Sequence, residues 1–173
     1  MSLLIFLIFL GACAGAATTG ALFGPDRWYE GLEKPWWTPP NWVFPIAWSV
    51  AYLLVAVAAW RIAVAEPSTV QALALALWSL QIVLNALWTP TFFGLHRIAG
   101  GMAVLASLWG VTLVATAVFF TVDGLAGVLF VLYLAWLSYA ASLNYGIWQR
   151  NGAGPGAGAE AAGGEASSPA QRP

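Results

Sequence analysis

Five apolar runs decide what this chain can fold into. Residues 3–23, 42–65, 70–93, 98–122 and 125–148 each come close to the ~20 residues that carry a helix across bilayer hydrocarbon. A backbone in lipid must satisfy its own N–H and C=O groups, so such segments are either helices or the strands of a closed barrel. A barrel would need ~10-residue stretches of alternating polarity, and none is present. The sequence therefore predicts an all-α membrane protein, a bundle of five transmembrane helices within residues 1–151. Composition agrees: 61% of the residues are hydrophobic, and six Lys and Arg with seven Asp and Glu among 173 cannot clothe a soluble domain. With a formal net charge of -1 and no basic stripe, nothing could neutralise a phosphate backbone, which leaves the lipid membrane as partner and excludes nucleic acid.

Breaker chemistry separates the runs: Gly24-Pro25-Asp26, Glu66-Pro67-Ser68, Gly94-Leu95-His96-Arg97 and Asp123-Gly124. Only the first loop is long. The amino-terminal run has no basic flank and no cleavage context, so it reads as a retained first span. Residues 152–173 are low-complexity Gly, Ala, Ser and Pro with nothing to bury, and are expected to be disordered. An odd number of spans puts the first loop, the third loop and the carboxyl terminus on one side. That side carries Arg27, Lys34, Arg97 and Arg150, with Arg172 in the tail, against Arg61 alone on the other. Positive charge favours the cytoplasmic face, so the first loop and carboxyl terminus are predicted to be cytoplasmic, and strongly apolar helices favour an inner membrane. Within the first span, Gly11 and Gly15, then Ala16 and Gly20, have small-xxx-small spacing. They suit close packing against a neighbouring helix or a second copy of the chain equally well.

Conventional catalysis has little to work with. Cys13 and His96 are the only residues of their types, so neither a disulfide nor a thiolate or imidazole metal site can form within one chain. No ionisable residue sits near the middle of a span, where ion-coupled transporters and proton relays place them. What the spans do carry is rings. Of the eleven tryptophans, Trp28, Trp42, Trp60, Trp88 and Trp148 fall near span ends, as an interfacial belt would. Trp48, Trp78, Trp109 and Trp136 lie inside, where an indole N–H needs a partner or a polar cavity. In the third span Trp78, Gln81, Asn85, Trp88 or Thr89, and Phe92 share one helical face. Asn85 is either a tie between helices or an amide lining a ligand cavity. In the fifth span Trp136, Ala140 and Leu143 share a face with Tyr139 and Asn144 at its edge, and in the second Trp48 and Tyr52 do likewise. Such a lining fits a flat, largely apolar polycycle held by stacking and a few hydrogen bonds.

The first loop contains KPWWTPPNWVFP (34–45). Its prolines forbid a helix and bias the residues before them toward extended geometry, giving a stiff segment that holds Trp36, Trp37 and Trp42 in place. With Tyr29 upstream, it is predicted to cover the mouth of the bundle as a lid. The bland alternative is a plug among headgroups.

Three stretches, WYEGLEKPWWTPPNWVFPIAWSVAY (28–52), LNALWTPTFFGLHR (84–97) and YLAWLSYAASLNYGIWQRN (133–151), closely resemble the translocator protein family, also called tryptophan-rich sensory proteins. The likeness covers about residues 3–151 and is nearest to bacterial members. It implies five transmembrane helices, a homodimer, and a pocket that binds porphyrins, isoquinoline carboxamide or benzodiazepine drugs and, in animal members, cholesterol. By motif position Trp48, Asn85, Trp136, Ala140 and Leu143 correspond to pocket residues, with Trp88 on the Asn85 face, and Tyr29 and Trp37 to the covering loop. Trp48 and Trp136 also match tryptophans proposed for light-dependent porphyrin breakdown. Leu143, Tyr145 and Arg150 satisfy a loose sterol pattern, although Arg150 reads first as an interfacial anchor. Family members commonly have proline before Tyr133, whereas Leu132 stands there in this chain. The resemblance thus implies a membrane receptor or sensor of tetrapyrroles, with a porphyrin or heme precursor as ligand and no required cofactor or metal. The role implied is regulation of tetrapyrrole metabolism or of a stress response. A porphyrin-degrading enzyme and a porphyrin or sterol translocator are the alternatives, as is an outer-membrane location.

Overall fold

The structure, a computed structural model, describes residues 2–153. Its elements are α1 (Ser2–Leu22), the short α2 (Arg27–Glu30), α3 (Val43–Ala63), α4 (Thr69–Thr89) running into a π-helical turn (Pro90–Gly94), α5 (Ile98–Val122) and α6 (Gly124–Asn151). Among the described residues there is no strand. Five helices, counting α4 with its π extension as one, are long and apolar enough to cross a membrane. Gly152, at a φ of 73°, closes α6. The expected disorder of the tail falls outside the described residues from position 154 onward.

The helix starts follow from the breakers. Ser68 accepts from the Gln71 N–H at 3.1 Å, Asp123 from that of Ala126 at 2.7 Å and Asp26 from that of Tyr29 at 3.0 Å, each satisfying one of the donors a helix leaves open. The Asp26 cap starts α2, a turn of helix inside a loop expected to contain none. Pro90 breaks α4 differently. Lacking an N–H, it cannot continue the i−4 ladder; the chain widens instead, so that the Leu95 N–H bonds the Pro90 carbonyl at 2.8 Å while the Thr91 hydroxyl takes the Leu87 carbonyl at 2.7 Å. The turn after it needs a left-handed residue, which His96 supplies at a φ of 55°.

The spans close into a ring in the order α1, α3, α6, α5, α4 and back to α1. In the half of the bundle away from the first loop the ring is solid. Alanines 56, 58 and 59 of α3 let its neighbours approach, and Val55, Trp78, Phe119 and Phe130 fill the interior. That end is cross-tied. The Arg61 guanidinium grips both oxygens of Asp123 at 2.8 and 2.7 Å, Gln71 Nε2 caps carbonyls at the end of α3, and the Trp60 indole bonds Ser2 Oγ at 2.9 Å. At the other end α6 overshoots: its 28 residues span about 42 Å, against about 30 Å of hydrocarbon. The surplus turns, Gly146 to Asn151, form the platform on which the first loop rests.

Candidate functional site

The half of the ring nearest the first loop is hollow. A cavity of about 580 Å³ lies there, within the range of small-molecule sites. Four spans and the loop wall it: Ala17, Gly20 and Ala21 from α1, Phe44, Pro45, Trp48, Ser49 and Tyr52 from α3, Asn85, Trp88, Thr89, Phe92 and Phe93 from α4 and its π turn, Ala140, Leu143, Asn144 and Ile147 from α6, and Tyr29 from above. The widened turn after Pro90 is what lets two consecutive phenylalanines reach one cavity.

Its rings are mutually braced. Trp48 lies 5.7 Å from Tyr52 and 6.2 Å from Trp88 at shallow tilts, and Trp88 stacks on Phe92 at 5.6 Å. Two hydrogen-bond chains fix the polar groups. The Tyr52 hydroxyl donates to Asn85 Oδ1 at 2.8 Å, Asn85 Nδ2 donates to the Tyr133 hydroxyl at 2.6 Å, and that hydroxyl donates to Gln81 Oε1 at 3.1 Å. This chain joins α3, α4 and α6. Nearer the loop, Trp88 Nε1 donates to Asn144 Oδ1 and Asn144 Nδ2 donates to the Ile98 carbonyl, both at 3.2 Å, joining α4, α6 and α5. Asn85 is therefore a cavity residue and an interhelical tie at once. Apart from these chains the cavity offers ring faces, aliphatic side chains, the Ser49 and Thr89 hydroxyls and the Asn41 amide, and among the described residues no group of His, Cys, Asp and Glu could hold a metal ion.

The loop is strapped over the cavity at two places. Asn151 holds the Glu33 backbone from both sides, accepting from its N–H at 2.9 Å and donating to its carbonyl at 2.8 Å. The Tyr139 hydroxyl donates to the Trp37 carbonyl at 2.9 Å, and Arg150 lies over the Trp37 ring at 5.8 Å. Pro35 is seated on Gly146, where an added Cβ would come within 2.8 Å of the proline ring, so only glycine leaves room. On the opposite side Trp28 stacks on His96 at 4.3 Å, and His96 Nε2 meets Asp26 Oδ2 at 3.0 Å. The Tyr29 N–H and His96 hold the Asp26 carboxyl below its ordinary range. Beneath the straps Tyr29 is buried, with the Lys34 ammonium 4.6 Å from its ring centre, while Trp36 is 89% exposed at the tip.

The structure thus brings Tyr29, Trp48, Asn85, Trp88, Ala140 and Leu143 to one cavity. Trp136 and Trp37 are not on its wall. Trp136 stands edge-on behind Trp48 at 6.1 Å, its buried indole N–H without a protein acceptor, and borders a shallow outer groove between α3 and α6. Trp37 packs outside the cavity, among Gly146, Arg150 and Tyr139. The sterol pattern is divided: Leu143 faces the cavity, whereas Tyr145 is 48% exposed and Arg150 turns to the loop. Of the other interior indoles, Trp78 bonds the Val55 carbonyl at 3.0 Å and Trp109 bonds Ser138 Oγ at 2.8 Å, so both serve packing. The α1 residues and Phe93 escaped the sequence reading. Of the α1 residues only Gly20 belongs to the small-xxx-small pattern, which suits a neighbouring helix or a second copy equally, and Ala17 and Ala21 carry no sequence signal of a cavity.

The model of the TspO/MBR family matches residues 4–149. The chain is 48% identical over 147 residues to a protein named tryptophan-rich sensory protein from Cereibacter sphaeroides, an alignment covering 85% of this chain and 91% of the relative. It is 47% identical over 152 residues to protein CrtK of Rhodobacter capsulatus, covering 87% and 95%. With the human translocator protein it shares 33% identity over 130 residues, covering 72% and 75%.

Proposed function

This chain belongs to the TspO/MBR family of membrane proteins, and from that premise we propose that it is a receptor for porphyrins and similar flat polycycles. The observation that carries the reading is the hollow half of the bundle: a cavity of about 580 Å³ faced by Trp48, Tyr52, Trp88, Phe92 and Phe93, with no acid, base or metal ligand among its lining residues. Ring faces bind ring faces, and this lining holds a ligand without chemistry to turn it over. The anionic edge of a porphyrin would point to the first-loop side, which carries Arg27, Lys34, Arg97 and Arg150. Occupancy would then serve as a signal in tetrapyrrole metabolism or stress.

The same charges support an orientation with the first loop and carboxyl terminus in the cytoplasm and the protein in an inner membrane. A homodimer is supported by Gly11 and Gly15, exposed on α1 with open space where a Cβ would be.

Quenching of tryptophan fluorescence by protoporphyrin in detergent tests the ligand. Saturable quenching at low micromolar concentration is expected, with affinity reduced about tenfold or more by Ala140→Phe, which fills the cavity, or by Trp48→Ala, which removes a stacking face. Quenching that never saturates, or that ignores both substitutions, overturns the reading.

A further inference from the structure

Where the cavity opens is a separate question from what it holds. Its exposed lining residues include Ala17, Gly20 and Ala21 on α1, and Pro45 and Ser49 on α3 with Asn41 just before that helix. A residue that both lines a cavity and meets the exterior marks a mouth, and these two sets face each other across the gap between α1 and α3.

The gap has a physical origin. The two helices meet closely at the far end, where Phe6 packs on Trp60 at 6.3 Å and Ser2 bonds the same indole. At the near end α1 is drawn the other way, with Phe23 lodged against Gly94 so tightly that a Cβ there would come within 2.8 Å of its ring. Nothing lies within 4 Å of the Cβ position at Gly20. The depth of the gap follows from helix rise. Ser49 lies six residues into α3 and Ala17 five residues from the end of α1, so the mouth reaches about 8 Å below the helix ends. The 21 residues of α1 span about 31 Å, close to the thickness of the hydrocarbon, so the mouth faces acyl chains. Above it, the first loop is strapped at Asn151, Tyr139 and His96.

We propose that ligands reach the cavity sideways, from the acyl region of the leaflet on the first-loop side, through the gap between α1 and α3. The substrate class is then narrowed to amphiphilic polycycles already dissolved in that leaflet, and the loop over the cavity need not open. This rests on the reading that the cavity binds such ligands.

The test uses the full chain in phosphatidylcholine vesicles, with protoporphyrin as probe and stopped-flow tryptophan quenching as readout. Ser49→Cys is prepared and folded first, then labelled with a bulky maleimide; Cys13 is buried, and unlabelled protein is the reference. Labelling is expected to slow association about tenfold or more, a larger factor than any loss of equilibrium affinity that a label on the cavity wall causes. Gly20→Leu, at a position with open space, is expected to slow it in the same direction, and Asn151→Ala, which cuts a strap, to leave the rate unchanged. Rates unaltered by labelling, or raised by cutting the strap, overturn the lateral route even though the ligand binds. Absence of saturable quenching in the unlabelled protein removes the ligand reading and this proposal with it.

Discussion

Asn85 lets the two roles of a membrane-buried amide be separated by measurement. Its side chain accepts from Tyr52 on α3 and donates to Tyr133 on α6, so replacing it with leucine, which has the same heavy-atom count and branching, deletes two interhelical hydrogen bonds. Such bonds average about 0.6 and reach about 1.7 kcal/mol each in membrane proteins, so the loss is expected to be about 1–3 kcal/mol. The lower end applies if Tyr52 rotates into the cavity and finds water. Equilibrium unfolding in mixed micelles of rising dodecyl sulfate fraction, followed by circular dichroism, measures it. A double-mutant cycle with Tyr52→Phe apportions it: the two changes share one bond, so the double variant should be more stable than additivity predicts by about 0.5 kcal/mol or more. Porphyrin affinity should fall only modestly, since both polar ends of the amide are already engaged. Strict additivity, or undisturbed stability with abolished quenching, would mean that Asn85 is a ligand contact and that its bonds to the two tyrosines do not hold the helices.

The roof and the ends of the bundle yield further tests. Gly146→Ala should push Pro35 off α6, making the first loop more susceptible to proteolysis while leaving the helical signal unchanged; equal protection in the variant would show that the loop does not rest there. Asp26 and Asp123 are both held below the ordinary carboxylate range, Asp26 chiefly by the Tyr29 N–H and Asp123 chiefly by Arg61. A depressed folded-state pKa means their contribution is complete above the unfolded value of 3.8 and is lost as pH falls through the lower folded values. Thermal unfolding in detergent should accordingly weaken only below about pH 4 on their account, and less so in Asp123→Asn. A decline centred well above that in the parent protein, absent from Asp123→Asn, would contradict the assignment.

The spans were legible because each is a long apolar run ended by a capping or breaking residue. The second, third and fifth are expected at 42–65, 70–93 and 125–148 and are found at Val43–Ala63, Thr69–Gly94 and Gly124–Asn151. The extra turn of α6 was hidden because Gln149, Arg150 and Asn151 read as the polar flank of a span, although they continue the helix to meet the loop. Helical spacing correctly grouped Asn85, Trp88 and Phe92, and Ala140 with Leu143, since residues on one face of one helix must travel together. It could not say which neighbour covers that face at each depth. Trp136 is one turn from Ala140, yet at its level α3 interposes Trp48 between it and the cavity. Nor did a proline within LWTPTFFG announce a widened turn, because Pro90 is equally compatible with an ordinary kink.

The contrast between the two ends of the bundle limits how occupancy can be expressed. At one end a guanidinium, a glutamine amide and an indole lash together α1, α3 and the starts of α4 and α6. At the other, the paired bonds of Asn151, the Tyr139 hydroxyl and stacked rings hold a proline-stiffened strap, with no ion pair to α6 among the described residues. Were a guest to swell the hollow, the softer closure would give first. Any molecule that senses the filled state would find its handle on the face bearing Trp36 and Arg150, and the opposite face would stay mute.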